Sequence, residues 1–208
     1  MRRNIYILQY VIVLLQYVIN MNSEIKILKL LLSSKEEQFT IKKIAESLKI
    51  NYRIAYEKVM LLEKEGLIKI TKVGNSKICE FANNFNSKVF EAEYERKNEL
   101  FKNKDFLIIH NRLAQLKSQF IVLLFGSHAK KTANKHSDID ILAIGDNEKE
   151  IKTEIALLPD KIHLTIVTYK DFVHMAKSKE FTVVSEAIKN NIILIGIEEY
   201  YRLLKNVQ

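Results

Sequence analysis

Cysteine and proline are nearly absent from this sequence of 208 residues, which contains one of each, and glycine occurs only five times. With Cys79 alone, no disulfide bond can form within the chain and no zinc site can be built from several cysteines, which favours a cytoplasmic location. The scarcity of proline and glycine predicts long, mainly helical elements joined by polar loops. Because 48% of the residues are hydrophobic, an intrinsically disordered chain is excluded.

The longest nearly continuous apolar run extends from Ile5 to Ile19, and two glutamines interrupt it. No small-residue cleavage site follows it, as a secretory signal would require, and the run is short for a transmembrane helix. We interpret residues 1–22 as an over-extended N-terminus or an additional packing helix. A membrane anchor is the weaker alternative.

Positive charge exceeds negative charge, with 33 Lys and Arg residues against 25 Asp and Glu residues and a formal net charge of +8. A polyanion is therefore an expected partner, whether a nucleic acid, a nucleoside triphosphate or an acidic membrane. Net charge by itself does not choose among these three.

Residues 23–81 show the pattern of three helices followed by a β-hairpin. Apolar residues recur at helical spacing in SEIKILKLLLSS, TIKKIAESLKI and NYRIAYEKVMLLEKEG, with Thr40 as a cap and Gly66 as a terminator. The segment LIKITKVGNSKICEF alternates on both sides of Gly74-Asn75, which predicts the hairpin. This region resembles the winged helix-turn-helix domains of small archaeal and bacterial transcription regulators, notably in LLEKEGLIKI.

That resemblance implies DNA binding through the third helix, where Tyr52, Arg53 and Tyr56 lie on the outward side and would enter the major groove. Lysines of the third helix and the hairpin would meet phosphates: Lys58, Lys69, Lys72 and Lys77. Acidic residues dilute this surface, and many winged helices serve as protein interfaces. DNA binding is favoured, and the protein interface stays open.

The remainder of the chain predicts a polar connecting helix at residues 82–104 and an α/β domain at residues 105–208. The apolar segments QFIVLLFGS, SDIDILAIG, IHLTIVT and NIILIG predict strands, and helical patterns alternate with them. The predicted fold class is α+β: three helices and a wing, followed by an α/β domain with a mixed sheet flanked by helices.

The segment FGSHAKKTANKHSDIDIL carries the residues that point to chemistry. Gly126-Ser127 follows a buried strand, and the missing Cβ of Gly126 lets a phosphate approach the backbone closely. Asp138 and Asp140 alternate along a strand, so both carboxylates face one side while Ile139 turns into the core. Two such carboxylates repel unless a cation lies between them. Mg²⁺, shared with triphosphate oxygens, is the natural candidate.

Residues 119–145 resemble the polymerase-β-type nucleotidyltransferase superfamily, specifically its minimal domains, through Gly-Ser, a spacer and then Ser-Asp-Ile-Asp. The resemblance implies that Gly126 and Ser127 hold the β- and γ-phosphates of a nucleoside triphosphate, and that Asp138 and Asp140 ligate Mg²⁺. It also implies transfer of a nucleoside monophosphate to a hydroxyl acceptor. Together with the N-terminal pattern, the chain resembles archaeal proteins that join the two domains.

Two departures from that family stand out. Lys131 occupies the position of a second glycine, and Lys130 and Lys131 become candidate phosphate-binding cations. Active members also place an Asp or Glu on the following strand, whereas KIHLTIVTYKDF offers only His163 and Thr165 at its inward polar positions. Asp160 lies before that strand. His163 as a substitute base or ligand, and His163 as an ordinary structural residue, both stay open.

Two hypotheses follow. The first is a Mg²⁺-dependent nucleotidyltransferase with a DNA-binding winged helix, acting on a nucleic acid, a small molecule or a protein acceptor such as a toxin. The second is a catalytically weak or inactive DNA-binding regulator, or an antitoxin-like protein, that binds nucleotide or a partner, including a second copy of itself as a homodimer. Neither hypothesis requires a membrane.

Overall fold

The computed structural model describes residues 23–116, 118–157, 161–178 and 180–207. Residues 1–22 lie outside this set, and so does the interpretation placed on their apolar run. Within the described ranges, no helix combines the length and hydropathy needed to cross a membrane. The chain divides into two compact units, the first with residues 23–31 and 38–82 and the second with residues 32–37 and 83–207.

Between residues 23 and 81 the elements match the predicted three helices and hairpin, with one short strand added. They are α1 (residues 23–33), β1 (Phe39–Thr40), α2 (Ile41–Leu48), α3 (Tyr52–Lys64), β2 (Ile68–Val73) and β3 (Ser76–Phe81). The three strands form one antiparallel sheet in the order β1-β3-β2.

Local chemistry fixes the ends of these elements. The Thr40 hydroxyl accepts a hydrogen bond from the backbone N–H of Lys43 at 3.1 Å, and the Asn51 side chain accepts from that of Arg53 at 2.8 Å. Gly66, with φ +73°, ends α3 in the left-handed region. The cap at Thr40 and the glycine terminator were both predicted from the sequence.

Strand β1 was not predicted, because its two residues follow a polar break and carry too little pattern of their own. Phe39 pairs with Cys79 across the sheet, and both side chains are buried. Cys79 thus behaves as a small buried hydrophobic residue. Burial, the main cause, raises the pKa of its thiol to about 11, so the reactive thiolate is disfavoured.

The second unit contains helices and strands in alternation. Its elements are α4 (Ser87–Leu100), α5 (Lys104–Leu113), β4 (Ile121–Phe125), α6 (Gly126–Ala129), β5 (Ile139–Ile144), α7 (Glu148–Ile155), β6 (Ile162–Val167), α8 (Tyr169–Lys177), α9 (Val183–Lys189), β7 (Ile192–Ile195) and α10 (Ile197–Lys205). The sheet has the order β6-β5-β4-β7; β4 is antiparallel to both neighbours, whereas β5 and β6 are parallel. The predicted mixed sheet flanked by helices is confirmed.

Strand β4 lies at the centre of this sheet, and all five of its residues are buried. Side chains from one face of the sheet and from α5 and α7 form a core cluster, including Phe106, Ile109, Val122 and Ile151. A continuous apolar run is what a central strand covered on both faces requires. The core therefore holds rigidly the strand end at which the candidate site begins.

Helix α4 lies within the predicted connecting helix but is more than a polar connection, since one of its faces is buried. Glu93 accepts hydrogen bonds from Arg96 at 2.5 Å and from the Tyr201 hydroxyl at 2.7 Å. Arg96 also donates to the Ser33 hydroxyl and to the backbone carbonyl of Asn191. Buried charges are tolerated when each is paired and hydrogen-bonded in this way.

Candidate functional site

The end of β4 brings the glycine-serine turn against one of the two predicted aspartates. Phe125, the last residue of β4, pairs with Asp140 in β5, and Gly126 follows immediately. Gly126 has φ +67°, and a Cβ added to it would collide with the Asp140 carboxylate. Glycine is therefore required here twice, for its backbone conformation and for the space beside the carboxylate.

Asp138 and Asp140 differ more than alternation along one strand suggested. Strand β5 begins at Ile139, so Asp138 lies directly before it and is exposed, whereas the Asp140 side chain is 26% exposed. Ile139 packs against the core, as expected. The sequence placed both acids within the strand; the structure places Asp138 at its entrance, before the first register pair of β5.

His163 lies beside Asp140. The parallel pairing of β5 with β6 sets these two residues opposite each other, and the His163 Nδ1 atom is 3.3 Å from the Asp140 Oδ1 atom. The His163 side chain is 72% exposed, so a ligand can reach it. The residue considered as a substitute for the missing acid therefore contacts the predicted metal ligand directly.

Within the described ranges, no third carboxylate joins Asp138 and Asp140. No three His, Cys, Asp or Glu side chains in those ranges come close enough together to hold a metal ion. Asp160 lies outside those ranges. The Asp140 carboxylate beside Gly126, with Asp138 two residues before it, suits Mg²⁺, which commonly takes one or two protein carboxylates and completes its shell with phosphate oxygens and water. The donor set fits a metal that arrives with a triphosphate better than one held by protein alone.

The two predicted phosphate-binding lysines have different surroundings. The Lys130 Nζ atom is 3.4 Å from the Glu186 Oε1 atom, in a partly exposed ion pair. Lys131 is exposed and has φ +59°, so the backbone keeps the left-handed conformation although the residue is not the glycine that the family shows. An L-residue adopts this conformation only at a cost of about 1–2 kcal/mol.

In the first unit, the residues predicted to contact DNA share one exposed part of α3. Tyr52 and Tyr56 are 54% and 38% exposed, and their ring centroids are 6.3 Å apart. The Lys77 Nζ atom lies 5.1 Å from the Tyr56 ring centroid, a cation–π contact that the sequence did not reveal. Arg53 is exposed and donates to Glu57 at 2.9 Å, an exposed pair that a phosphate can displace.

The hairpin lysines and the α3 lysine separate into two groups. Lys72 and Lys77 face each other across β2 and β3, and both are exposed, as is Lys69. The expectation that Lys58 meets phosphates is corrected by the structure. Its side chain is only 16% exposed, and its Nζ atom lies 2.8 Å from the Glu24 Oε1 atom. Its ammonium group therefore forms an ion pair with Glu24 within the first unit.

Sequence reasoning missed the buried pair of Glu93 and Arg96. A signal was available: Val89, Ala92, Glu93 and Arg96 recur at the spacing of one helix face, and all four are buried. The acidic and basic residues around them made the whole segment look solvent-exposed.

Comparison with known proteins gives one informative match. No curated protein matches the chain. Among solved structures, Lactococcus lactis ZitR (the apo C30AH42A mutant) is 22% identical, with 54% of this chain and 83% of that chain covered and a TM-score of 0.32. A toxin-antitoxin crystal structure with AMP-PNP is 20% identical, with 50% and 84% covered and a TM-score of 0.34.

These two likenesses are too weak to carry an argument about fold or function. The family model described as polymerase beta, nucleotidyltransferase matches residues 108–200. That range includes β4, the glycine-serine turn, both aspartates and His163. Domains of this family generally use a divalent metal. Residues 108–200 are thus supported as a nucleotidyltransferase domain of the polymerase beta type.

Proposed function

We propose that this protein transfers a nucleoside monophosphate from a nucleoside triphosphate to a hydroxyl acceptor in the presence of Mg²⁺, and that a winged helix-turn-helix domain positions it on DNA. The domain limits proposed are residues 23–81 for the winged helix, 82–104 for the connecting helix and 105–208 for the nucleotidyltransferase domain. The placement of the Asp140 carboxylate against Gly126 carries the proposal, because it sets a carboxylate that can bind a metal beside the glycine-serine turn that would hold the phosphates.

Each residue of the site has a separate role. Gly126 and Ser127 bind the β- and γ-phosphates through backbone N–H groups and the serine hydroxyl, while Asp138 and Asp140 hold Mg²⁺. Bound Mg²⁺ would neutralise charge on the triphosphate and on the leaving pyrophosphate. His163, when protonated at Nδ1, donates to Asp140 and orients that carboxylate toward the turn.

The direct test is incorporation of labelled ATP, CTP, GTP or UTP into any acceptor in native extract with Mg²⁺. Asp138→Asn and Asp140→Asn should each reduce the label to background, because a neutral amide is a poor Mg²⁺ ligand. Asp146→Asn is the matched control: Asp146 is an exposed acid just beyond the other end of β5. Incorporation that persists in Asp140→Asn would refute the metal site.

A second candidate, a regulator that binds nucleotide without transferring it, is favoured by one observation: no third acid stands with Asp138 and Asp140 among the described residues. His163→Asp separates the candidates, since it sets a carboxylate directly opposite Asp140. If the protein is a slow enzyme, this variant should incorporate label about tenfold faster or more, and His163→Asn should not. If neither the wild type nor His163→Asp transfers label while Mg²⁺-ATP still binds, the regulator is the correct assignment.

DNA binding is tested separately, by fluorescence anisotropy with duplex DNA over a range of salt concentrations. Arg53→Ala should weaken binding through loss of a groove contact. Lys72→Ala should weaken it for all sequences and lower the salt-dependence slope by about 1. Lys42→Ala, an exposed lysine on α2, should change neither quantity. Equal effects of all three variants would show that only net charge matters and would overturn the groove contact of Arg53; a wild type that binds no DNA would favour a protein interface.

A further inference from the structure

The second unit contains a cavity of about 470 Å³ that the proposed function does not use. Its lining includes residues of α4, of the turn after it, of α6 and of β7: Arg96, Leu100, Lys102, His128, Lys131 and Ile192. None of Gly126, Ser127, Asp138 or Asp140 belongs to the lining. The volume falls within the range of small-molecule sites, about 300–1,000 Å³.

Three basic residues line this cavity, Arg96, Lys102 and Lys131, against one acid, Glu99, so the net charge of the lining favours an anion. Lys102 and Lys131 are both exposed, and neither side chain has a hydrogen bond or ion pair with another described residue. Arg96, by contrast, is fully engaged by Glu93, Ser33 and the Asn191 carbonyl, so it forms a rigid wall and is not a ligand. Two lysines from separate chain segments thus line the same cavity.

The rest of the cavity lining includes apolar side chains and one imidazole ring. Leu100, Ala129 and Ile192 supply apolar surface. The His128 ring also lines the cavity, and its Nε2 atom is buried with no hydrogen-bond partner among the described residues. A buried ring nitrogen without a partner is unfavourable, so it indicates a place where a bound water or ligand completes a hydrogen bond.

We propose that this cavity binds a small phosphate monoester with a flat, partly apolar body, such as a nucleoside monophosphate, and that it does so without a divalent metal. The phosphate meets Lys102 and Lys131, and the ring system lies against the apolar wall beside His128. A phosphate monoester carries close to two negative charges at neutral pH, and the lysines, which outnumber Glu99 in the lining, attract it. The site goes beyond the proposed function and does not depend on it.

Isothermal titration calorimetry with AMP in EDTA tests the proposal, because chelation removes the metal that the triphosphate site needs. AMP should bind, and Lys102→Glu should raise its Kd at least tenfold, while Lys102→Arg keeps binding close to the wild type. Lys170→Glu makes the same charge change at an exposed lysine of α8 and should leave the Kd unchanged. Adenosine and inorganic phosphate should each bind at least tenfold more weakly than AMP.

The outcomes distinguish this site from the proposed active site. A protein that incorporates labelled nucleotide but binds no AMP in EDTA overturns the cavity proposal and leaves the proposed function standing. A protein that binds AMP in EDTA but incorporates no labelled nucleotide supports the cavity proposal and contradicts the proposed nucleotide transfer. Inorganic phosphate binding as tightly as AMP, or an equal loss of affinity in Lys170→Glu, would also overturn the proposal.

Discussion

The glycine-aspartate corner of the second unit and the exposed face of α3 in the first unit constrain their residues in different ways. At the corner, the strand register and a left-handed glycine fix the position of Asp140, so its function depends on the fold itself. On α3, Tyr52 and Arg53 extend into solvent, and other residues of the helix form its buried face. A site built on backbone geometry requires particular residues at a particular spacing, so it can be recognised in the sequence. An exposed recognition face shows only which residue types are enriched on it.

The largest expected difference between the two units comes from their left-handed glycines. Gly126→Ala adds a collision with Asp140 to the backbone cost, and should lower the free energy of unfolding by about 3 kcal/mol or more while abolishing incorporation. Gly74→Ala is the matched control, because Gly74 has φ +57° and no atom within 4 Å of the added Cβ. It should cost only about 1–2 kcal/mol.

Chemical denaturation of both variants, followed in parallel with nucleotide incorporation, measures this difference. Equal losses of stability would show that the crowding at Gly126 is absent in solution. The comparison between a geometrically fixed site and an open turn would then fail.

A second prediction concerns a partly buried charge in the second unit. Burial, partly opposed by Glu93 and reinforced by Arg96, lowers the pKa of Lys35 from 10.5 to about 8, and its Nζ atom donates to the Ile188 carbonyl at 3.2 Å. Between these two pKa values the unfolded chain binds a proton that the folded chain does not. The contribution of Lys35 to the free energy of unfolding should therefore rise with pH from about 8 to 10.5, by about 1–3 kcal/mol.

Lys35→Met isolates this contribution, since other groups titrate equally in both proteins. The free energy of unfolding of the variant minus that of the wild type should fall as the pH increases through that window, because only the wild type gains stability there. A difference that stays constant from pH 7 to 10.5 would show that the Lys35 ammonium is solvated and has an ordinary pKa.

The smallest expected effect compares two lysines that adopt positive φ angles, one in each unit. Lys49 (φ +52°) ends α2, and Lys131 (φ +59°) follows α6. Replacing either by glycine should raise the free energy of unfolding by about 1 kcal/mol, because the left-handed strain disappears. Only Lys131→Gly should also weaken AMP binding. A loss of stability in Lys131→Gly would mean that its side chain contributes contacts that exceed the strain.

Much of this architecture was readable from the sequence because it rests on local or strictly periodic signals. Apolar alternation and caps such as Thr40 located the helices and strands, and the Gly-Ser and Asp-x-Asp pair located the corner of the sheet. What could not be read depends on contacts between distant segments. The pairing of Asp140 with His163 needs the strand register, strand β1 needs Cys79 as its partner, and the burial of Arg96 needs residues far along the chain.

The parallel pairing of β5 and β6 makes the chemistry at Asp140 depend on length as well as on identity. A connection containing α7 joins these strands, and its length sets which residue of β6 faces Asp140. A slip of one position would replace the imidazole of His163 by the aliphatic side chain of Ile162 or Leu164, on the opposite face of the strand. Deletions and insertions within residues 145–161 could thus change the reactivity of this protein while leaving every residue of its motif untouched.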